Sequence, residues 1–361
     1  MTESSKKKSI ELLILEGDGI GSEIVSATHQ VLQAVDKKFN LEVRYKHEDI
    51  GFTALKKYKT TFPEAVYEQA LIADGIILGP VSHNQYPPVS EGGLNPSGEL
   101  RKRLDLYANI RPAKTIKGIP SPCQKPVDII IVRENTEGFY ADRSMHLGLG
   151  EFMPTEDLAL SVRKISRQAS IRIAEKAFQL ATSRNKKVTA VHKANVLRIT
   201  DGLFLECTRE VAKRYPAVVY EEQLVDAMAA LLVRDSTRFD VIVTTNMFGD
   251  ILSDLACELA GGLGMGASLN VGAKYAVAQA QHGSAPDIAG KNIANPTSLI
   301  GSTAMLLRWL AQQTSSSKFE KAADGIENAL KKVLSNPTTR TTDLGGQLST
   351  TDFTKKLIEK I

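Results

Sequence analysis

Cysteine is scarce in this sequence of 361 residues, and its three cysteines, Cys123, Cys207 and Cys257, lie far apart. An odd number without a CxxC pair indicates neither a disulfide framework nor a thiolate metal site. The sequence also lacks HExxH, GxxxxGK[ST] and GxSxG motifs, which disfavours zinc chemistry, P-loop NTPases and α/β-hydrolases. Because such cysteine use fits a reducing compartment, we expect a cytoplasmic protein.

Charge of one sign is also lacking, since 45 Lys and Arg residues stand against 41 Asp and Glu residues. Lys6–Lys8 is a basic run of only three residues, and positive charge is otherwise spread along the chain, so the sequence has no electrostatic footprint for nucleic acid or an anionic membrane. The first apolar stretch contains Glu11 and Glu16 and is too short and too charged for a signal peptide or a membrane span. We therefore expect neither partner, whereas small acidic substrates remain compatible with this balance.

Short apolar runs alternate with longer segments of helical period, which is typical of an α/β protein built around a largely parallel sheet. A helix is predicted over Thr155–Ala181, with Thr155 or Asp157 as its cap, because apolar residues recur at three- and four-residue spacing. The predicted strands are Ile10–Leu15, Gly75–Leu78, Val127–Val132, Val188–Val191 and Val241–Thr244.

The length predicts about two domains, and no repeat or long flexible linker separates them. Without a linker, the chain is expected to cross between the domains more than once. These crossings are expected near Tyr107–Pro112 and near Ala256–Gly264.

A glycine-rich string, Glu16–Gly21, follows the first predicted strand and opens a helix. A dinucleotide fingerprint requires G-x-G-x-x-G, but Ser22 stands three residues after Gly19. The spacing therefore favours a tight strand-to-helix turn over a standard phosphate loop.

Two carboxylates, Asp250 and Asp254, follow the strand Val241–Thr244 at a spacing that places both on one face of a helix. Such a pair suits a hard divalent cation such as Mg²⁺, or else forms a solvated first turn that favours the helix dipole. Asp226 lies in an otherwise apolar helix start, where a ligand role and a helix N-cap are both open.

Three arginines, Arg101, Arg111 and Arg133, stand beside predicted strand ends or turns, and their planar forks match carboxylates bidentately. Together they suggest a polyanionic substrate, although each alone is compatible with a surface ion pair. Tyr140 and Lys193 lie in loops after predicted strands, where they can serve as proton carriers or as ordinary polar residues.

In their order along the chain, these strings resemble the isocitrate/isopropylmalate dehydrogenase family of β-decarboxylating dehydrogenases. The resemblance covers nearly the whole chain, and the strings that carry it are Glu16–Gly21, Leu100–Pro112, Val132–Gly138, His192–Leu197, Thr245–Asp254, His282–Gly290 and Thr342–Gly346.

The resemblance implies two open-sheet α/β domains with an active site in the cleft between them. Residues 1–107 plus 257–361 are expected to form the cofactor-binding domain, and residues 108–256 the substrate, metal and dimerisation domain. It also implies a homodimer whose active sites take residues from both subunits.

Members of the family oxidise a 2-hydroxy acid that bears a 3-carboxylate, with NAD or NADP and Mg²⁺ or Mn²⁺, and then release CO₂. By this resemblance Arg101, Arg111 and Arg133 bind the substrate's malate moiety, and Tyr140 and the partner's Lys193 act as acid and base. Asp250 and Asp254, with Asp226 from the partner, are the expected metal ligands. Because all eight positions carry competent residues, the sequence disfavours a silent regulatory subunit and a non-catalytic metabolite-binding module.

The cofactor is expected to be NAD, because a carboxylate at Asp287 accepts hydrogen bonds from ribose hydroxyls but repels a 2′-phosphate. A turn-capping role for Asp287 is the alternative. The expected cofactor-binding residues are His282, Gly283, Ser284, Ala285, Asp287, Ile288 and Asn295.

The substrate's variable group is expected to contact the segment before Arg101. This segment departs from the family patterns, and Gln279 is a second position that does so. Isopropylmalate enzymes have leucines four and three residues before this arginine, whereas this chain has Ser97 and Gly98. With Asn95, Ser97 resembles in exchanged order the Ser and Asn pair of isocitrate enzymes. We expect an isocitrate- or homoisocitrate-type acid, with tartrate or malate types and then isopropylmalate as alternatives. The alternative role for the segment itself is a plain turn that binds no substrate.

Overall fold

The computed structural model describes residues 9–123, 125–140, 145 and 150–361. Its strands are β1 (Glu11–Leu15), β2 (Arg44–Glu48), β3 (Gly75–Leu78), β4 (Ala108–Lys114), β5 (Asp128–Glu134), β6 (Glu151–Thr155), β7 (Leu158–Ser161), β8 (Lys187–His192), β9 (Val219–Leu224), β10 (Val241–Thr244), β11 (Leu269–Val271) and β12 (Ala276–Gln279). Its helices are α1 (Gly21–Phe39), α2 (Gly51–Tyr58), α3 (Glu64–Ile72), α4 (Pro96–Arg103), α5 (Arg167–Thr182), α6 (Thr200–Ala212), α7 (Val225–Asp235), α8 (Asn246–Ala260), α9 (Thr297–Thr314), α10 (Ser317–Ser335) and α11 (Thr350–Ile358).

The chain forms two compact units and passes between them twice. Unit 1 comprises residues 1–96 and 275–361, and unit 2 comprises residues 97–274. The segment after Pro96 belongs to unit 2 because Arg172 pairs with Asp105 at 2.7 Å and covers the ring of Tyr107. The domain boundaries expected from the sequence, residues 1–107 plus 257–361 against residues 108–256, and the roles assigned to the two domains stay a prediction.

Unit 1 contains a fully parallel sheet with the strand order β2-β1-β3-β12. Its inner strands β1 and β3 are almost continuously apolar, and every residue in them except Glu11 is buried, as expected for parallel strands covered on both faces. Helix α9 packs against β12 and β3 of this sheet, α1 and α10 pack against α9, and α11 packs against α1 and α10.

Unit 2 contains a mixed sheet with the strand order β11-β4-β5-β10-β8-β9. Strands β5, β10, β8 and β9 are parallel, whereas β4 is antiparallel to both β5 and β11. Helix α8 packs against β4 and β5, and its apolar face contributes Leu252, Ala256 and Leu259 to the core. Because β11 pairs with β4, the chain stays in this unit up to Lys274.

The α/β class and the five predicted strands are confirmed, whereas the predicted helix over Thr155–Ala181 is wrong in its first part. Residues 158–161 form β7, which pairs with β6 in a separate two-stranded antiparallel sheet. Helix α5 begins at Arg167, and its cap is Ser166, whose hydroxyl accepts a hydrogen bond from the Ala169 amide. Within the described residues, no helix is both long and apolar enough to cross a membrane.

Candidate active site

A row of buried polar side chains crosses the sheet of unit 2 at the carboxyl end of β5. In the strand register, Asn270 of β11 lies opposite Asn109 of β4, and Asn109 lies opposite Arg133 of β5. The Asn109 amide donates to Asn270 Oδ1 at 3.0 Å and to Ser268 Oγ at 2.7 Å. Because buried amides must be hydrogen-bonded, this row fixes the side chains beside it.

Arg111 connects this row to the two carboxylates of α8. Its Nε donates to Asn109 Oδ1, and its Nη1 lies 3.1 Å from Asp250 Oδ1 and 3.2 Å from Asp254 Oδ1. Ser253 also accepts from the same nitrogen, at 2.8 Å. The guanidinium is buried while the carboxylates are 37% and 51% exposed, so positive charge lies beneath an open anionic pair.

Arg133 approaches Asp250 from the neighbouring strand. Its Nε and Nη2 both donate to Asn246 Oδ1, at 3.0 and 2.7 Å, and its Nη1 pairs with Asp250 Oδ1. The guanidinium carbon lies 5.9 Å from the centre of the Tyr140 ring. Two buried arginines therefore bind one carboxylate oxygen of Asp250, and the Tyr140 ring lies beside one of them, Arg133.

The loop that carries Tyr140 is held by buried carboxylates. Glu134 accepts hydrogen bonds from the Thr136 amide and hydroxyl and from the Glu137 amide, at 2.7–2.9 Å. Glu137 in turn accepts from the amide and hydroxyl of Ser166. Burial raises the pKa of Glu134, and these hydrogen bonds oppose that shift. The Glu-x-x-Glu spacing thus shapes the turn after β5 rather than supplying further ligands.

Lys193 and Asp226 form a second pair in unit 2. Lys193 Nζ lies 2.6 Å from Asp226 Oδ1, and this hydrogen bond lowers the pKa of Asp226. Helix α7 begins at Val225, with Leu224 at the cap position, so Asp226 is not the N-cap that the sequence offered as an alternative. The structure brings these two residues to each other.

The donor chemistry fits a divalent cation in part. Asp250 and Asp254 offer two hard anionic oxygens one helical turn apart, which suits Mg²⁺ or Mn²⁺. Within the described residues of one chain, no three His, Cys, Asp or Glu side chains are grouped to hold a metal. That Asp226 of a partner subunit supplies a third carboxylate stays a prediction.

The remaining predicted substrate residues lie at α4. Arg101 is half-buried on this helix, and Ser97 is buried one turn before it on the same face. Asn95 directly precedes the helix, and Gly98 has no side chain to add to its surface. The segment before Arg101 thus presents small and polar groups.

The glycine string Glu16–Gly21 is the tight turn that its spacing favours. Asp18 accepts hydrogen bonds from the amides of Phe52 and Ser82, at 2.8 and 2.9 Å, and from the Tyr86 hydroxyl. A Cβ on Gly19, whose φ is +57°, would lie 2.0 Å from the carbonyl oxygen of Ser284. This glycine therefore lets the turn approach the segment predicted to bind the cofactor.

The predicted cofactor residues lie between β12 and α9 of unit 1. Ser284 Oγ lies 2.7 Å from Ser82 Oγ, Asn295 binds Asp343 at 2.9 Å, and Ala285 has a φ of +38°. Asp287 is exposed, Ile288 is half-buried, and the Cα atoms of Gly283 and Gly290 face open space.

His282 carries an acceptor that has no hydrogen-bond partner among the described residues. Its Nδ1 lies 2.9 Å from the Gly283 carbonyl and must donate to it, which leaves Nε2 as the lone-pair nitrogen of the neutral ring. Burial lowers the His282 pKa, and Nε2 is buried without a hydrogen bond. An orphaned acceptor beside open glycines fits a ligand rich in donors, such as a dinucleotide.

Several supporting residues were missed at the level of sequence. Asn109, Ser253 and Asn246 hold the two arginines, and Asp343 holds Asn295. The signal for Asn109 is its place two residues before Arg111 on one strand, which puts both side chains on the same face. Asp343 lies in the Thr342–Gly346 string, but its partner is 48 residues away and no local pattern indicates it.

Comparison with known proteins accounts for these strings together. Residues 11–361 match the family model described as isocitrate/isopropylmalate dehydrogenase. The chain belongs to this family. It is 42% identical to the 3-isopropylmalate dehydrogenase of Archaeoglobus fulgidus, over 96% of this chain and 98% of that protein. It is also 42% identical to the isocitrate/homoisocitrate dehydrogenase of Thermus thermophilus, over 97% of this chain and 98% of that one.

Solved structures agree with this family assignment. The crystal structure of isocitrate dehydrogenase from Methylococcus capsulatus superimposes with a TM-score of 0.86 at 38% identity, covering 97% of this chain and 99% of that chain. The protein is therefore an oxidoreductase with the isocitrate/isopropylmalate dehydrogenase fold, and enzymes of this kind carry out oxidative decarboxylation.

Proposed function

We propose that this protein catalyses the NAD-dependent oxidative decarboxylation of a 3-substituted malate, with isocitrate or homoisocitrate as the favoured type and Mg²⁺ or Mn²⁺ as cofactor. The observation that carries the proposal is the meeting of Arg111 and Arg133 with Asp250 and Asp254 at the carboxyl end of β5. Arginine forks bind the substrate carboxylates, and the two aspartates hold the cation. Arg101 completes the arginine set from α4.

Two proton transfers are needed besides the chemistry of the cofactors. When bound, the cation stabilises the developing oxygen anion and the nicotinamide accepts the hydride. Lys193 takes the proton of the substrate hydroxyl during oxidation. Loss of CO₂ from the 3-carboxylate then leaves an enol carbon, which Tyr140 protonates.

The two roles can be separated by supplying the keto intermediate directly. Lys193→Met should stop oxidation of the hydroxy acid but leave decarboxylation of the supplied keto acid nearly intact. Tyr140→Phe should slow the decarboxylation and protonation steps, by about 100-fold or more, because general acid catalysis contributes that much. Equal effects of each variant on both half-reactions would contradict this division.

NAD is the proposed dinucleotide, and Asp287 is the residue that selects it. Its exposed carboxylate is free to accept from ribose hydroxyls and would repel a 2′-phosphate. The buried acceptor His282 Nε2 and the open space at Gly283 support a donor-rich ligand there. A higher kcat/KM with NADP than with NAD would refute this assignment.

The substrate preference depends on the segment before Arg101. Overall identity does not discriminate, because relatives named for isopropylmalate and for isocitrate/homoisocitrate are both 42% identical to this chain. Ser97 is buried on the face of α4 that carries Arg101, so an isopropyl group there would meet a hydroxyl instead of a leucine. A distal carboxylate would instead receive hydrogen bonds from Ser97 and Asn95.

The deciding measurement is the ratio of kcat/KM for isocitrate and homoisocitrate to that for isopropylmalate. The wild type should favour the tricarboxylic acids, and Ser97→Leu should lower the ratio by about tenfold or more, since one methylene in a pocket is worth about 10–200-fold. Ser97→Ala, which removes the hydroxyl without adding bulk, is the matched control and should move the ratio less. A wild-type preference for isopropylmalate would refute the substrate assignment.

We further propose a cytoplasmic homodimer in which Lys193 and Asp226 act in the partner's active site. Within one chain these residues bind each other, and the metal site lacks a third carboxylate among the described residues. Cys123, Cys207 and Cys257 form no disulfide, which supports a reducing compartment.

Hybrid dimers test the shared sites directly. Lys193→Met chains and Asp250→Asn chains should each be inactive as homodimers. A mixed dimer contains one site with both functional parts, so it should recover about half of the wild-type activity, because one of its two sites is intact. Mixed dimers without activity would show that the residues act within one subunit.

A further inference from the structure

A buried ion pair lies behind Lys193 that the proposed chemistry does not use. Asp201, the second residue of α6, is completely buried, and Arg163, which follows β7, is 7% exposed at its side chain. Arg163 Nη1 binds Asp201 Oδ1 and also donates to Thr200 Oγ1 at 2.8 Å. A charge pair removed from water persists only when its remaining hydrogen-bonding positions are satisfied.

The second oxygen of Asp201 holds the backbone of Lys193. The Lys193 amide donates to Asp201 Oδ2 at 2.5 Å, eight residues along the chain. The next amide, that of Ala194, donates to His192 Nδ1 at 3.0 Å, and the Lys193 carbonyl accepts from Val196 and Leu197. The amide and the carbonyl of Lys193 and the amide of Ala194 are therefore all hydrogen-bonded, and Asp201 is the partner of the Lys193 amide.

Arg163 extends the same network toward the metal and tyrosine elements. Its Nη2 donates at 3.1 Å to Thr245 Oγ1, at the position that precedes α8. Its guanidinium carbon lies 5.4 Å from the ring centre of Phe248 and 5.8 Å from that of Phe139, the neighbour of Tyr140. One side chain thus contacts the segments that carry the proposed base, acid and metal ligands.

We propose that the Arg163–Asp201 pair is a positioning device for Lys193, in which Asp201 sets where the lysine amine lies and Arg163 ties that loop to the start of α8. The proposal rests on the proposed role of Lys193 as the proton acceptor. Asp201 touches no reacting atom and acts through the lysine backbone.

The chemistry of the carboxylate makes Asp201→Asn the informative substitution. Asp201 accepts on both oxygens, from Arg163 and from the Lys193 amide. An amide of the same shape has one acceptor oxygen and one NH₂ group, so one of the two donors must face another donor. The guanidinium keeps the oxygen because it is charged, and the Lys193 amide loses its partner.

Steady-state kinetics of the Asp201→Asn homodimer give the first test. A lysine displaced by about 1 Å should lower kcat for oxidation by about 100-fold, while KM changes by less than about threefold, because substrate is bound by other residues. Decarboxylation of the supplied keto acid should stay near the wild-type rate. An unchanged kcat, or an equal loss in both half-reactions, would overturn the proposal.

A matched control separates positioning from a general loss of stability. Arg184 pairs with the buried Asp240 at 2.7 Å in the same unit, and its second carboxylate partner, Asp128, lies at the start of β5, the opposite end of that strand from Arg133. Arg184→Lys disturbs that pair and should lower the melting temperature while leaving kcat within about twofold. If it lowered kcat as much as Asp201→Asn does, the effect would be one of stability and the proposal would be wrong.

Backbone hydrogen exchange gives a readout that needs neither substrate nor a particular subunit arrangement. In Asp201→Asn, the peptide that contains the Lys193 amide should exchange at least about tenfold faster than in the wild type, because that amide loses its acceptor. In Arg184→Lys it should exchange as in the wild type. Unchanged protection in Asp201→Asn would refute the proposed bond.

Hybrid dimers show whether Asp201→Asn acts only in the chain that supplies Lys193. When Asp201→Asn is placed in the Asp250→Asn chain and paired with a Lys193→Met chain, the one complete site uses a displaced lysine and should lose about 100-fold. When it is placed in the Lys193→Met chain instead, the site should work as the reference hybrid does. Equal losses would refute the positioning role. An inactive reference hybrid would refute the shared sites alone, since the homodimer kinetics and the exchange data would still decide the role of Asp201.

Discussion

At Asp250, one carboxylate oxygen accepts from two arginines that are almost fully removed from water. With Asp254 included, two anions offset two cations, and the cluster is nearly neutral before any ligand binds. The two carboxylates of the substrate's malate moiety and a divalent cation again bring equal and opposite charge. In the proposed function, the substrate's carboxylates would replace the aspartates as partners of the two arginines, and the aspartates would bind the cation. No buried charge would then be left unpaired.

We predict that Asp250→Asn lowers the metal-dependent rate by at least about 100-fold, since even the loss of an outer-sphere partner costs 10–100-fold in metal sites. The variant should remain folded, because an amide can still accept from the arginines. The check is the initial rate as a function of Mg²⁺ and Mn²⁺ concentration, together with circular dichroism. Asp324→Asn on α10, which removes a carboxylate bound to Arg308 of α9, should leave the rate unchanged.

Arg133, Asp250 and Asp254 could be singled out from the sequence because each lies at or after the carboxyl end of a buried strand, where parallel sheets bind ligands, whereas Arg111 lies in the middle of the antiparallel strand β4. The amides that support the arginines could not be singled out, since the contacts depend on register. Asn246 meets Arg133 only because β10 and β5 are paired so that Thr244 lies opposite Arg133. A sequence pattern predicts a strand, but register between strands distant in sequence comes from the three-dimensional fold.

At the scale of elements, α8 approaches β5 closely at one glycine. A Cβ on Gly249 would lie 2.7 Å from both Cβ and Cγ of Arg133, closer than real side chains come. The helix therefore requires glycine at this position to leave the arginine its path to Asn246 and Asp250. Glycine otherwise weakens a helix interior, by about 0.5–1 kcal/mol relative to alanine.

We predict that Gly249→Ala destabilises the protein by about 1–3 kcal/mol through overpacking, although it improves helix propensity. It should also weaken substrate binding, because Arg133 has to move. Gly202→Ala in α6 is the matched control, since nothing lies within 4 Å of its added Cβ. That variant should be neutral or more stable by about 0.4–1 kcal/mol. Urea unfolding and KM for the substrate measure both effects, and a stabilised Gly249→Ala would contradict the packing argument.

The error in the predicted helix over Thr155–Ala181 also has an element-scale cause. Leu158 and Val162 fit a helical stripe, but Leu158, Leu160 and Val162 equally alternate with period two. In the structure, β7 places Leu158 and Leu160 at 46% and 44% exposure, so no core selects one period over the other within the chain. The later part of the segment buries Ile173, Ala177 and Ala181 and is the helix that its pattern predicts.

At the scale of the whole molecule, the sheet of β6 and β7 leaves apolar side chains uncovered. Phe152 and Met153 on β6 are 49% and 64% exposed, beside the exposed leucines of β7. An isolated two-stranded sheet is only marginally stable in water, and an apolar patch on a single chain marks an interaction site. Since the proposed active sites need a second copy, we expect this sheet to be covered by the partner subunit.

We predict that Leu160→Glu weakens the dimer and removes activity with it. A carboxylate placed in an apolar interface has no partner there, so dissociation should increase by about 30-fold or more, which corresponds to about 2 kcal/mol. Sedimentation velocity over a range of protein concentrations measures the dimer, and specific activity measured at the same concentrations should fall in parallel. Ile72→Glu on α3 of unit 1, where the wild-type side chain is 58% exposed, is the matched control and should leave both unchanged. A Leu160→Glu protein that is monomeric and fully active would refute the shared active sites, and one that stays dimeric at all concentrations would place the subunit interface elsewhere.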